Sequence, residues 1–240
     1  LSLTKGSPSG RRKFLDRAVY NRWPASLEVL KRYEATLKQR NALLKTDGAD
    51  ALLDIFDEQI ATAALRVYEW RQRFLAQYTP VFTQTLGLIT DDELISTIAY
   101  VPSFASDNVE DWYEEYAKRR RKDRIRKTTT CGPHLDDVEF SLHDKSARLY
   151  ASQGQHRALV LGLKIAEIQL LKRELGFAPI LLLDDVSSEL DARRNAQLTR
   201  FLNGSEFGGQ VFITTTDRSW LDFDGVSTCF TIRAGALSEQ

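Results

Sequence analysis

The chain has 240 residues, 42% apolar and 28% charged, which is the composition of an ordinary folded protein with length for one large domain or two smaller ones. Acidic and basic residues balance at 33 each, so net charge points to no partner, although local patches still can. No apolar run reaches the roughly 20 residues of a membrane helix, and neither the two cysteines nor the three histidines show metal-ligand spacing or a disulfide framework.

Cys131 and Cys229 read as two free thiols, which fits a reducing, cytoplasmic setting. The chain contains no methionine and opens on Leu1, which reads as a fragment whose start lies upstream.

In chain order, the first two-fifths are helical in pattern. After Pro24, Leu27, Leu30, Leu37 and Leu44 mark one face of a helix ending near Thr46-Asp47-Gly48. A second helix follows Asp50, with Leu53, Phe56, Ile60, Ala64, Val67, Phe74 and Tyr78 at three- and four-residue steps. The pair predicts an antiparallel hairpin, either packed as plain core or serving as a partner-binding arm. Residues 94–100 turn strand-like. A further helix over 107–127 ends in a basic block of Lys118, Arg119, Arg120, Arg121, Lys122, Arg124, Arg126 and Lys127. Such a block can follow a phosphate backbone, or pair along a solvated helix with the preceding Glu110, Asp111, Glu114 and Glu115.

The last 110 residues change character. Val138 to Leu142 alternates like a half-buried strand, and His143-Asp144-Lys145 reads as a turn into residues 147–150. A helix is expected over about 155–174, stopping at Gly176. Pro179 to Leu183 is a continuous apolar run, as expected of a strand buried on both faces of a parallel sheet. A helix over about 192–202 and a strand over 210–214 complete an α/β pattern.

Three segments carry candidate chemistry. The strand ending in Asp184-Asp185 places two carboxylates at a sheet edge, where one can hold Mg²⁺ and the next can polarise a water for phosphoryl transfer; capping of the strand end is the plainer alternative. Ser152-Gln153-Gly154-Gln155 sits before a long helix, whose N-terminus is an anion site, though Ser152 serves equally as an N-cap. Ser187-Ser188-Glu189-Leu190-Asp191 follows the carboxylate pair and precedes the next helix.

The order and spacing of these segments resemble ABC-type ATPases. Ser152-Gln153-Gly154-Gln155 resembles their signature motif, with Gln153 where the first glycine is usual. Residues 180–185 look like the Walker B strand, with Asp184 on the metal side and Asp185 in the catalytic position where most relatives carry Glu. Leu190-Asp191 matches the D-loop. Thr216 stands where transporter-type relatives carry a switch histidine, which argues against a transporter. Lys5-Gly6-Ser7-Pro8, Arg11 to Asp16, Leu37 to Asn41, Gly132-Pro133-His134 with Asp136-Asp137, and Leu182 to Asp191 narrow the resemblance to the RecF family over essentially the whole chain. Leu135 departs from it, standing where a basic residue is expected.

This resemblance implies the C-terminal lobe of an ABC-type ATPase head plus a mostly helical arm, with residues 1–130 forming the arm and lobe II region and 131–240 the α/β ATPase lobe. It implies ATP and Mg²⁺ as cofactors and an ATP-dependent homodimer. In that dimer Ser152 to Gln155 close over the partner's nucleotide, while Asp184, Asp185, Asp191 and Thr216 attend their own. It also implies double-stranded and gapped DNA as ligands, and RecO and RecR as partners in loading RecA. The phosphate-binding pattern Gly-x-x-x-x-Gly-Lys-Ser/Thr does not occur: Gly204 and Gly209 have its spacing, but Gln210 follows them. The fragment is therefore expected not to hydrolyse ATP by itself. The competing reading is a non-hydrolysing interaction module with a vestigial half-site.

Overall fold

The computed structural model describes residues 2–46, 48–184, 192–204, 207–216, 228–233 and 235–239. Helix α1 (Ser2–Lys5) leads into α2 (Pro8–Arg22), which starts on Ser7 with Pro8 in its first turn, where a missing N–H costs nothing. Helices α3 (Ser26–Lys45) and α4 (Asp50–Thr90) form the expected hairpin. Its apolar stripe runs well past Tyr78: α4 continues through Pro80, and Val81, Phe82, Leu86 and Ile89 beyond it are buried. Burial of that half outweighs the one backbone hydrogen bond a proline removes.

Strand β1 (Ser96–Val101) pairs antiparallel with β2 (Asp137–Leu142), with Ser96 opposite Leu142 and Val101 opposite Asp137. Between them runs α5 (Val109–Arg126), capped by the Asn108 side chain and closed by Lys127 in the left-handed region. The expected turn is present, with His143 (φ 46°) and Asp144 (φ 62°) both left-handed, as a two-residue hairpin requires. The returning strand is short, however: β3 is only Lys145–Ser146, and α6 (Ala147–Tyr150) is a single helical turn. Only Ala147 of that turn is buried, so no alternating face holds it in the sheet.

Helix α7 (Gln153–Leu175) ends on Gly176 in the left-handed region (φ 76°). Strands β4 (Leu181–Asp184) and β5 (Val211–Thr214) pair in parallel, with α8 (Ala192–Asn203) between them in sequence. A separate hairpin joins β6 (Phe230–Arg233) and β7 (Ala236–Glu239).

Two apolar clusters organise the chain. The smaller one joins α3, the first half of α4 and α5 around Tyr33, Ile60, Val67, Trp112 and Tyr116. The larger one joins α2, the second half of α4, β2, α7, β4 and α8. Helix α4 thus contributes to both clusters, and β1 is hydrogen-bonded to a strand from the second part of the chain.

The β4 strand is covered unevenly among the described residues. Leu181 and Leu183 are buried, but Leu182 is 72% exposed and its paired neighbour Phe212 52%. Among the described residues, one face of the β4–β5 sheet packs on the helices and the other is left exposed.

Candidate nucleotide and nucleic-acid site

Ser152 and Gln155 form a complete capping box at the start of α7: Gln155 N–H donates to Ser152 Oγ at 3.2 Å, and Ser152 N–H donates to Gln155 Oε1 at 2.8 Å. Ser152 and Gln153 are exposed, and Gly154 lies behind them. Beneath this end, His156 is fully buried and its Nδ1 meets Thr4 Oγ1 of α1 at 2.8 Å. Burial, with Lys5 nearby, lowers its affinity for a proton. The helix N-terminus is capped, solvent-facing at its tip and free of carboxylates in its first turn, which suits an anion.

Asp184 ends β4 at the C-terminal edge of the parallel sheet, exposed, and accepts a hydrogen bond from Thr214 Oγ1 at the end of β5. Thr216 follows that strand and is also exposed. Asp185, Asp191 and the Ser187 to Leu190 segment lie outside the described residues. Among the described residues no hydrogen bond or ion pair links Asp184 to the Ser152 turn. Among the described residues no group of three or more His, Cys, Asp and Glu could hold a metal ion.

The basic block on α5 is divided by the fold. Arg119 pairs with Glu115 and donates to the Thr130 carbonyl; Arg120 reaches Asp57 (2.6 Å) and Asp54 (2.5 Å); Arg124 reaches Asp50 (2.6 Å) and the Gly48 carbonyl (2.7 Å). The Arg124 hydrogen bond and charge hold the Asp50 carboxyl below the usual range. Lys118, Arg121, Lys122 and Arg126 are exposed.

Two buried arginines escaped the sequence reading as individual residues. Arg40, fully buried, joins Asp57 (2.6 Å), Asp123 (2.7 Å) and Thr129 Oγ1 (2.8 Å). Arg71 holds Asp16 through two hydrogen bonds (2.8 and 3.0 Å), Asp136 (3.1 Å) and the Pro133 carbonyl (2.7 Å). The available signal was a charge on the core-facing period of α4, where Asp57 and Arg71 keep step with Leu53, Ile60, Ala64, Val67 and Phe74.

Arg71 ties the Gly132-Pro133-His134 segment into the fold. Arg11 grips Asp137 through two hydrogen bonds (2.6 and 2.8 Å), and Arg12 donates to the Asp136 carbonyl. Burial works against the Asp137 charge, yet the Arg11 hydrogen bonds hold its carboxyl below the usual range. His134 Nε2 faces the Thr129 carbonyl at 3.1 Å, so it carries the proton, and Nδ1 accepts from Tyr33 OH at 2.6 Å. Burial keeps this imidazole neutral, lowering its pKa. Leu135, the departure from pattern, sits at the surface with no charge to offer.

No family model matches the chain. Among curated proteins it is 43% identical over 247 residues to the DNA replication and repair protein RecF of Myxococcus xanthus, covering 94% of this chain and 64% of that protein. It is 40% identical over 252 residues to the RecF of Heliobacterium modesticaldum, covering all of this chain and 67% of that protein. The chain belongs to the RecF family. It spans about two thirds of the length of these relatives. Solved structures of the recombination mediator protein RecF in the RecFOR pathway superpose over nearly the whole chain. The ATP form has a TM-score of 0.84 at 32% identity, covering 100% of this chain and 65% of that one; the ATPγS form has 0.82 at 31%. The Smc head domain derived from Pyrococcus furiosus shares the fold alone, with a TM-score of 0.51 at 14% identity. The α/β ATPase-head fold expected from the sequence is the fold of these RecF-family neighbours. Among the described residues no helix is long and apolar enough to cross a membrane.

Proposed function

We propose that the chain is the C-terminal portion of an ATP-dependent DNA-binding protein of recombinational repair and replication. In this reading it contributes two separate half-sites to an ATP-gated homodimer. What supports it is an anion-suited helix N-terminus at Ser152 and a sheet-edge carboxylate at Asp184, between which no hydrogen bond or ion pair forms among the described residues. In the proposed dimer, two chains arranged head to tail bring one half-site from each around a shared nucleotide. Ser152, Gln153, Gly154 and Gln155 then contact the partner's nucleotide. Asp184, with Mg²⁺ held through water, Asp185, Asp191 and Thr216 attend their own. ATP binding follows by analogy from the ATP form of the RecF structure. DNA and the RecO and RecR proteins follow as partners from the pathway in which that relative works, and RecA loading as the outcome.

Asp184 fits a magnesium role in part, being an exposed oxygen donor steadied by Thr214. The chemistry supplied by a bound Mg²⁺ is charge neutralisation on phosphate oxygens. This chain's share is to place the carboxylate at the sheet edge and hold its orientation.

The deciding experiment is equilibrium binding of a fluorescent ATP analogue, with Mg²⁺, to this chain alone, followed by the Asp185→Asn variant in a full-length RecF-family protein. The half-site reading expects no binding at micromolar concentration to the chain, and in the full-length variant no turnover with a prolonged ATP-bound dimer. Micromolar binding by the chain refutes the half-site division, and unchanged hydrolysis refutes the role of Asp185. The completeness of the Ser152–Gln155 capping box favours the second reading, a non-hydrolysing interaction module, and these measurements discriminate it.

A further inference from the structure

Helix α5 presents its cations in two arcs. At 100° per residue, Arg121, Ile125, Lys118, Lys122 and Arg126 fall within about 140° of the helix circumference, and Arg119, Asp123, Arg120 and Arg124 fill the opposite arc. The second arc is engaged with Glu115, Asp54, Asp57 and Asp50 and with the carbonyls of Thr130 and Gly48. In the first arc Lys118, Arg121, Lys122 and Arg126 are exposed and form no ion pair among the described residues; Glu114, one turn before Lys118, marks its N-terminal limit. Four like charges along about 12 Å of helix repel one another, and an incoming polyanion relieves that repulsion. The same rise spans three to four phosphates of one strand of B-form DNA at roughly 3.4 Å each.

We propose that this arc of α5 is a docking surface for the phosphate backbone of duplex DNA. The inference rests on the DNA-binding reading above and deepens it, by separating contact residues from scaffold within the block. A duplex is favoured over a single strand because the arc offers no aromatic ring on which an unpaired base stacks; its one apolar side chain is Ile125, 76% exposed. The contacts proposed are to phosphate oxygens, which position a duplex and carry no base-sequence information directly.

Fluorescence anisotropy of a labelled mixed-sequence duplex with this chain, from roughly 50 to 200 mM salt, tests the proposal. Four neutralised phosphates give a slope of log affinity against log salt of about −3.6, an affinity loss of about 150-fold over that range; a single strand gives about −2.8 and 50-fold. Replacing Lys118, Arg121, Lys122 and Arg126 by Ala is expected to flatten the slope towards zero and leave the melting temperature unchanged. Replacing Arg119, Arg120 and Arg124 by Ala is expected to lower the melting temperature and keep the slope. A quadruple variant that binds duplex with the original slope overturns the docking surface while leaving DNA binding elsewhere intact. An original chain that binds no duplex at the lowest salt overturns the docking surface, while the ATP-gated reading is judged separately by the full-length Asp185→Asn variant; tighter binding of a single strand than of the duplex overturns the choice of ligand.

Discussion

Arg40 offers a severe test of how α3, α4 and α5 are held together. Its guanidinium is fully buried between Asp57 and Asp123, two carboxylates that are themselves inaccessible, and lies 5.5 Å from the centre of the Tyr116 ring. Replacing Arg40 by Met keeps most of the stem's packing and removes the positive charge. Loss of one partner from a buried ion pair costs about 3–5 kcal/mol, because the other charge stays buried without compensation. Here both carboxylates keep something: Asp57 Oδ2 still meets Arg120 at 2.6 Å, and Asp123 Oδ1 still accepts from Thr130 N–H at 3.0 Å and Thr130 Oγ1 at 2.6 Å. The lower end of the range, about 3 kcal/mol, is therefore expected, which at 2–4 °C per kcal/mol for a chain of this size lowers Tm by roughly 6–12 °C. Urea unfolding followed by circular dichroism measures it. The Arg40→Met, Asp123→Asn double variant should recover part of the loss, since it withdraws one orphaned charge. A single variant within about 0.5 kcal/mol of the original protein would refute the view that this ionic cluster fastens the arm.

Gly132→Ala should destabilise by roughly 2–4 kcal/mol, because a Cβ would stand 2.5 Å from Tyr116 OH and 2.6 Å from Tyr33 OH at a φ of 122°; a neutral melt would show that the segment yields. Ser152→Ala should cost about 1 kcal/mol through loss of the cap, and Ser152→Asp, which keeps a capping acceptor, should restore most of it in the same thermal melt. His134 is held neutral in the folded state with its pKa below the usual value, so the unfolded chain takes up the proton first as pH falls. Its contribution to stability is full above about pH 6.5 and is lost as pH drops below that value. His134→Gln should flatten that part of the stability–pH profile, and an unchanged profile assigns the slope to another group such as His156.

Much of the architecture was legible because its signals are local. The α3–α4 hairpin followed from leucine spacing, the 143–144 turn from residues that tolerate left-handed backbone, and the end of α7 from Gly176. What escaped depended on partners far away in sequence. Nothing local shows that Arg120 faces Asp57, 63 residues earlier, while its neighbour Arg121 faces water. The block of eight cations could be counted but not divided, because the division is made by α4 and by the loop following α5. The same limit applies to β4: five apolar residues in a row show that a strand can be buried on both sides, and only tertiary structure shows which side this part of the chain covers itself. The motifs that carried the family resemblance turn out to serve structure as much as chemistry, since Arg11, Asp16, Arg40, Asp136 and Asp137 all belong to buried or half-buried ionic contacts.

The open face of the β4–β5 sheet bears directly on the proposed metal-side carboxylate. Side chains alternate along a strand, so Leu182 and Asp184 share one face, and the parallel register sets Phe212 beside Leu182 and Thr214 beside Asp184. The face that carries Asp184 is therefore the uncovered one. In water a lone carboxylate attracts a divalent cation weakly, since the dielectric that screens charge at about 80 reduces the attraction several-fold from its value near a protein surface. Covering Leu182 and Phe212, 72% and 52% exposed, would supply a hydrophobic gain of about 1–2 kcal/mol for each side chain and would lower the local dielectric around Asp184 in the same step. Binding of a cation and burial of this face thus reinforce each other. A segment or subunit that covers the sheet would sharpen the affinity of Asp184 for Mg²⁺ even if it contributed no ligand of its own, and the exposed chain should hold the ion only weakly.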